Sequence, residues 1–522
     1  MIFGLAITFL TPPFQTPDEY LHFYRAFQIS EGQLVAERQT GDCYGYSKYF
    51  ETEVCLGGNL PKSVLTTVRN VSTRDLRFDI NQKQDINEIF AVLDLPLNPE
   101  NRVFINFKTT ALHSPIPYLP QALGISIGKL FKISPLKLMY LGRLTNLLFW
   151  LGLVSFGIYW SPIHRGLLMM LALTPMSLCL ASSLSLDALT NGVAFAFVGL
   201  VLRVAMGGER GIERNSRERN SRERNKLNLA WPWFFKKIES VVGANGRSSR
   251  RLNSPKNEIH ENLKSGDIEL GSSTPPTKFQ ANRKNTVIDI AILGGLAVVL
   301  SLSKLAYFPL VLLLLAIPRR NLGSWRRYWG SLSAIVLASG GAVALWSGVV
   351  SRIYVSLHPQ LSPSDQIQLV LSHPLGFAAT VMRTLAAFGG DYAHQFIGVL
   401  GWLDTPLPGW LVMAYWGVLA VTVGVATPAD KRLQGWQRGV FAVSALSSMV
   451  MLCGLAYLWN FVGAEMIGGL QGRYWIPIAP VAGLVFYNRR FRGWSKGFYR
   501  FGVGFVLFSC TVTLAVLFDR YY

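Results

Sequence analysis

The run SPIPYLPQALGISIGKLF, residues 114–131, decides how this chain threads a membrane. Its length approaches the ~20 apolar residues needed to cross roughly 30 Å of hydrocarbon. It also holds Pro115, Pro117 and Pro120, with Gly124 and Gly128. Proline removes a backbone donor and clashes with the preceding turn, so this composition suits a helix lying at the interface better than one crossing it. Read as non-spanning, the run leaves the polar segment 14–140 on one side of the membrane as a single long loop.

The rest of the chain sets the class. Half of its 522 residues are hydrophobic and 15% are charged, against about a quarter charged in an ordinary soluble protein. Apolar runs recur at roughly 143–160, 165–182, 188–206, 287–302, 305–318, 328–349, 409–426, 439–460, 474–487 and 501–517. Ile2–Leu10 is apolar but too short to span alone, and it reads as the end of a first helix that begins upstream. Without a basic region or cleavage site it does not read as a signal peptide. The expectation is an all-α integral membrane protein of about eleven transmembrane helices. The pair 287–302 and 305–318 must turn near Ser303-Lys304.

The formal charge of +20 does not point to nucleic acid. Its Lys and Arg residues sit in short clusters between apolar runs, the pattern of cytoplasmic loops. Alternate connections hold Arg165, the 207–286 tract, Arg319-Arg320 with Arg326-Arg327, Lys431-Arg432 with Arg438, and 489–500. The opposite connections hold only Lys304, Arg352, Arg383 and Arg473. By the positive-inside rule the first set faces the cytoplasm, which puts the 14–140 loop outside, with juxtamembrane helices in it. Three segments follow: an N-terminal membrane module 1–206, a basic low-complexity insertion 207–286 read as disordered, and a C-terminal membrane module 287–522 with an outer loop at 351–408. Cys43 and Cys55 share the first loop and can pair in an oxidising compartment.

The residues able to carry chemistry fall at the outer ends of these runs. Asp18 and Glu19 are adjacent carboxylates, and Asp18 and His22 lie four apart on one helical face with Arg25 beyond. One carboxylate can take a proton from an attacking hydroxyl; the plain alternative is that Asp18 caps a helix. His113 opens the proline-rich elbow, which is equally a simple interfacial bend. Asp187 ends an outward run, as a cap or as a second acid. Lys304, followed by Tyr307, suits a lipid phosphate or snorkels to headgroups. Gln471, Arg473 and Tyr474 offer a planar fork for phosphate or an interfacial anchor. Asp404 sits in the 351–408 loop and can line a sugar pocket.

The motifs Pro17-Asp18-Glu19-x-x-His22-Phe23 and Gln471-Gly472-Arg473-Tyr474-x-x-Pro477, with Ser185-Leu186-Asp187, Lys304-x-x-Tyr307 and Gly401-Trp402-Leu403-Asp404, resemble an uncharacterised bacterial family of predicted membrane glycosyltransferases. That family in turn resembles the GT-C superfamily, whose enzymes use polyprenyl-phosphate sugars. The resemblance implies Asp18 as base, Glu19 assisting, Asp187 as a second acid, and Lys304 and Arg473 near the donor phosphate. It implies an inverting transferase of the bacterial inner membrane, facing the periplasm or cell exterior, with a glycan, glycolipid or protein acceptor. Hard carboxylate oxygens at Asp18 and Glu19 suit magnesium or manganese, and no organic cofactor is expected. A flippase or transporter of lipid-linked glycans, or a polysaccharide polymerase or ligase, is the alternative.

Overall fold

In the computed structural model, the described residues are 1–45, 54–72, 76, 79–207, 278–356, 360–425, 431–488 and 495–522. The basic insertion therefore lies almost wholly outside them. Among the described residues six helices are long and apolar enough to cross a membrane: Pro135–Trp160, Asp187–Met206, Thr286–Ser303, Trp325–Ile353, Gly435–Tyr457 and Gly497–Tyr521. A bent pair, Pro363–Ser372 and Pro374–Gly398, makes a seventh if its two arms count as one span. Leu305–Ala316 and Gly409–Gly424 are apolar but shorter. Residues 1–206 and 286–522 pack as one unit.

Local chemistry explains where these elements start and stop. The Ser134 hydroxyl accepts from Lys137 N at 3.4 Å, and Pro135 fills the first helical turn, where its missing N–H costs nothing. Thr174 followed by Pro175 does the same at 3.3 Å from Ser177 N. That second cap cuts the expected single run 165–182 into Arg165–Ala172 and Pro175–Ala181. The turn expected at Ser303-Lys304 is present, but its second arm is a 3-10 helix carrying Pro309. Leu119–Leu130 is a helix of 12 residues, about 18 Å long at 1.5 Å per residue, and too short to cross.

Asp187–Met206 is the central helix, with 89% of its apolar window buried. It crosses Pro135–Trp160 at two glycines. A Cβ on Gly157 would lie 2.3 Å from Phe195 O, and one on Gly199 would lie 2.1 Å from Gly157 O. Only residues without a side chain allow that approach. At the far end of the central helix, Lys431 Nζ donates to Met206 O at 2.6 Å, placing a cation at a helix C-terminus.

Two features of the loops go beyond the sequence reading. The fold is predominantly helical, as expected of an all-α membrane protein, but the first loop also holds a four-stranded sheet in the order β1-β3-β4-β2, built from Glu37–Thr40 (β1), Tyr44–Gly45 (β2), Val54–Pro61 (β3) and Arg102–Asn106 (β4). The strands are short and rich in Gly and Asn, so their alternation is faint in sequence; antiparallel pairing with distant chain, as between Gly57 and Asn106, defines them. Cys43 and Cys55 form a disulfide beside this sheet. The second feature concerns 351–408, read from the sequence as an outer loop. It contains the helix Pro374–Gly398, whose apolar positions are interrupted by Arg383, Asp391 and His394.

One buried ion pair joins these parts. Arg143, inside the Pro135–Trp160 helix, and Glu19 have fully buried side chains. Arg143 Nε donates to Glu19 Oε1 at 2.8 Å and Nη2 to Oε2 at 2.6 Å. Its remaining N–H groups reach Thr8 O and Thr11 O, both at 2.8 Å, and Pro12 O at 2.9 Å. All five guanidinium donors are thus satisfied. Leu184 N donates to Glu19 Oε1 at 3.0 Å, extending the junction to the turn before the central helix. The helix Ile2–Leu10, the acidic loop and two long helices meet at this point.

Removing one partner of such a pair leaves an uncompensated buried charge, worth about 3–5 kcal/mol. Glu19→Gln should therefore lower unfolding stability in detergent by about that amount, with Arg143→Met similarly affected and the double variant recovering part of the loss. Circular dichroism melts would check this; a Glu19→Gln protein that melts like the parent would remove the pair from its structural role.

Candidate functional site

The site is built around Asp187. The turn Ser183–Leu186 that delivers it is pinned from three directions through its backbone. Asn146 Nδ2 donates to Ser183 O at 2.7 Å and Ser185 O at 3.0 Å. Gln121 Nε2 reaches Leu184 O at 3.2 Å and Ser185 O at 3.3 Å. Glu19 accepts from Leu184 N, as above. Ser185 Oγ in turn accepts from Asp187 N at 3.2 Å, starting the helix. The carboxylate of Asp187 therefore stands on a fixed support.

Two cations meet it. Lys304 Nζ lies 2.5 Å from Asp187 Oδ1, and Arg473 Nε lies 3.7 Å from Oδ2. Lys304 also sits 4.2 Å from the Tyr474 ring centroid and Arg473 5.3 Å from it, both within cation–π range. Tyr307 holds the Tyr474 backbone by donating to its carbonyl at 2.9 Å. Gly472 brings Arg473 in: a Cβ there would lie 2.1 Å from Tyr392 O, so the chain touches the Pro374–Gly398 helix only because the residue is glycine. Gln395 Oε1 accepts from Gly472 N at 2.8 Å. Gln471 Oε1 is buried with no hydrogen-bond partner among the described residues.

The acidic loop approaches from the other side. Asp18 is half-buried and takes the N-cap position of Glu19–Ser30, but in the left-handed region, φ 59°, and its side chain makes no cap bond. A left-handed conformation costs roughly 1–2 kcal/mol for an L-residue, somewhat less for Asp. The carboxylate thus does not follow the capping alternative. It lies within electrostatic reach of Arg473 and Tyr118. One turn on, His22 Nδ1 is 2.9 Å from Tyr118 Oη. His22 is within reach of His113, Asp187, Arg473 and Lys304. Ser114 fixes this elbow by donating to Leu302 O at 2.8 Å, just before Lys304.

Burial pushes the His22 imidazole down to about 3, with His113 adding to the effect. Burial likewise pushes His113 down to about 4, with Lys304 assisting. Both rings are neutral near pH 7. As pH falls below 6.5 the unfolded chain takes up protons that the folded one does not, so these two groups make folding less favourable through that range. The cluster then carries Asp18 and Asp187 against Lys304 and Arg473, around neutral histidines.

Other expected site residues are placed elsewhere. Both oxygens of Glu19 face Arg143 and Leu184 N, so they are not presented beside Asp18 for a metal ion. Among the described residues no group of three or more His, Cys, Asp or Glu side chains converges as a metal site. These donors do not fit a divalent cation held by Asp18 and Glu19. Arg25 is fully buried and ties its own loop, donating to Gln28 Oε1 at 2.5 Å, Leu34 O at 2.8 Å and His113 O at 3.3 Å. Asp404 pairs with Arg520, 2.7 Å away, and accepts from Trp402 N at 2.8 Å. Arg520 also reaches Leu76 O, Asp79 O and Gln82 O, so this second pair fastens the last helix to the first loop.

Sequence reading missed Arg143, Gln121, Asn146 and Arg520. Arg143 and Asn146 carried a usable signal: polar side chains three apart inside an apolar run are costly unless they face a partner. Gln121 and Arg520 carried none, since their partners are distant in sequence: backbone carbonyls for both, and the Asp404 carboxylate for Arg520.

No curated protein and no solved structure matches this chain. A family model does, over residues 1–218 and 275–482, which takes in Asp18, His22, Asp187, Lys304 and Arg473 and leaves out most of the basic insertion. The apolar helices are those of a multi-pass membrane protein, and the chain belongs to the family described as Predicted membrane protein (DUF2142).

Proposed function

We propose that this protein is a membrane glycosyltransferase of the GT-C type, moving a sugar from a polyprenyl-phosphate donor to a hydroxyl acceptor on the extracytoplasmic side. The observation that carries this reading is the meeting of Asp187, Lys304 and Arg473, from segments more than a hundred residues apart, beside Asp18. In this reading the shorter apolar elements complete a bundle of about eleven crossings, and the sheet-bearing first loop covers the site.

The chemistry follows from the charges. Asp187 holds the two cations, and Asp18 offsets the second until it takes up the acceptor's proton, which leaves one positive charge for the departing phosphate. Asp18 accepts the proton of the acceptor hydroxyl while that oxygen bonds to the anomeric carbon. The bond from that carbon to the phosphate oxygen breaks with its electron pair, inverting the configuration and releasing polyprenyl phosphate. Lys304 and Arg473 stabilise the charge gathering on the leaving group. Asp187 is a positioning residue for both. His22, kept neutral, adds no charge that would oppose Lys304. These groups stand at helix ends, with Asp187 opening a helix and Lys304 between two others, which favours transfer at a surface over a translocation path through the bundle.

A positioned general base contributes typically 10²–10⁴-fold. Asp18→Asn should lower kcat by about that factor in membranes supplied with a polyprenyl-phosphate sugar, with donor KM little changed; full activity would sink the assignment. Arg473→Lys keeps the charge but not the planar fork, and should raise donor KM and lower kcat together, measured by the same radiolabelled-sugar assay. The pH profile separates the two candidate bases. With His22 held near 3, activity should show no inflection between about pH 5 and 8, where an ordinary histidine titrates. An inflection near 6.5 that disappears in His22→Asn would make His22, not Asp18, the base.

A further inference from the structure

Away from the Asp187 cluster, the Thr286–Ser303 and Trp325–Ile353 helices leave an open groove of about 860 Å³ between them. Its walls are apolar and small, including Gly294, Gly295, Ala334 and Ala338, and its one charged lining residue is Arg327. Both helices are long and apolar enough to span, yet only 28% and 11% of their apolar windows are buried. Something apolar must cover this face in a membrane.

The dimensions and charges select the occupant. From Arg327 to Ala338 the helix rises roughly 16 Å, close to half of a ~30 Å hydrocarbon core, the depth of one leaflet. Arg327 thus stands at one leaflet's headgroup level. Trp325 and Trp329, both about half exposed, mark the same level as interfacial aromatics, with Arg319 4.5 Å from the Trp325 ring. Arg320 and Arg326 lie in the same stretch. A second copy of the chain, inserted in the same orientation, would bring an identical arginine cluster against this one. An anionic headgroup would neutralise it instead. Lys304 is not among the residues that line the groove, which ends on this helix at Val299; it lies fourteen residues beyond Ile290 at the Arg327 end, roughly 21 Å along the helix axis.

We propose that this groove binds an anionic phospholipid, one acyl chain lying along Gly295, Ala334 and Ala338 and the phosphate meeting Arg327. The inference is independent of the transferase reading, because the groove and the Asp187 cluster share no residue.

The test uses the full chain purified in detergent, with phosphatidylglycerol or phosphatidylcholine added and retained lipid counted by native mass spectrometry. The parent should retain phosphatidylglycerol about tenfold more than phosphatidylcholine. Arg327→Gln should abolish that preference, and Ala334→Leu, which fills the groove, should lose both lipids while remaining the same oligomer. Gly295→Leu, whose Cβ position has no atom within 4 Å, is the second groove-filling variant should the first not fold. No headgroup preference in the parent, or a preference that survives Arg327→Gln, would overturn the proposal. A dimer that becomes monomeric when the groove is filled would assign the face to a second copy instead.

Discussion

The fully buried Glu19–Arg143 pair is the constraint on which the arrangement of this protein turns. A guanidinium in an apolar bundle is tolerable only when every N–H has a partner and the charge is matched. Here the partners are the carboxylate of the first loop and three carbonyls at the end of the Ile2–Leu10 helix. Satisfying Arg143 therefore fixes where the acidic loop leaves the membrane-embedded part. Because Leu184 N also donates to Glu19, the same requirement fixes the turn that carries Asp187. The two acids with a candidate role in chemistry, Asp18 and Asp187, are flanking residues of a clamp built from groups that themselves face away from the site.

The division of labour between adjacent residues follows from that clamp. Glu19 points into the bundle and is spent on structure; Asp18 is turned in a left-handed conformation and stays half-buried within reach of Arg473. A side chain on Gly472 would move Arg473 away, and loss of the Asn146 and Gln121 hydrogen bonds would free the Asp187 turn. Asp404 and Arg520 repeat the clamp principle at the other end of the loop module, fastening the last helix to residues 76–82. Polar groups inside this protein serve first to connect segments that hydrophobic packing alone would let slide, and a minority of them face the site.

Much was legible from the residues in order. Apolar runs near membrane length, their basic flanks and the proline content of 114–131 specify a multi-pass helical protein with a long polar first loop, because hydrocarbon thickness and backbone satisfaction act on local sequence. Cysteines 43 and 55 were legible as a pair, Asp187, Lys304 and Arg473 as costly charges at helix ends, and His22 as the polar residue one turn beyond Asp18. The sheet was not legible, because strands of two to eight residues acquire their pattern from partners far along the chain, as Tyr44 does from Ile105. Nor was the Pro374–Gly398 helix, whose exposed Arg383 and Asp391 interrupt its apolar run and whose contact with Gly472, at the Tyr392 carbonyl, comes from a segment distant in sequence.

By itself the sequence determined the class of protein, the apolar runs from which the long helices form, and which charged residues flank those runs; each of these depends on the free energy of transferring a short stretch out of water. Which carboxylate meets which cation was decided only by the tertiary structure. Coulomb energy depends on separation in space, and nothing in the linear order distinguishes Glu19, matched to Arg143, from Asp187, matched to Lys304 and Arg473.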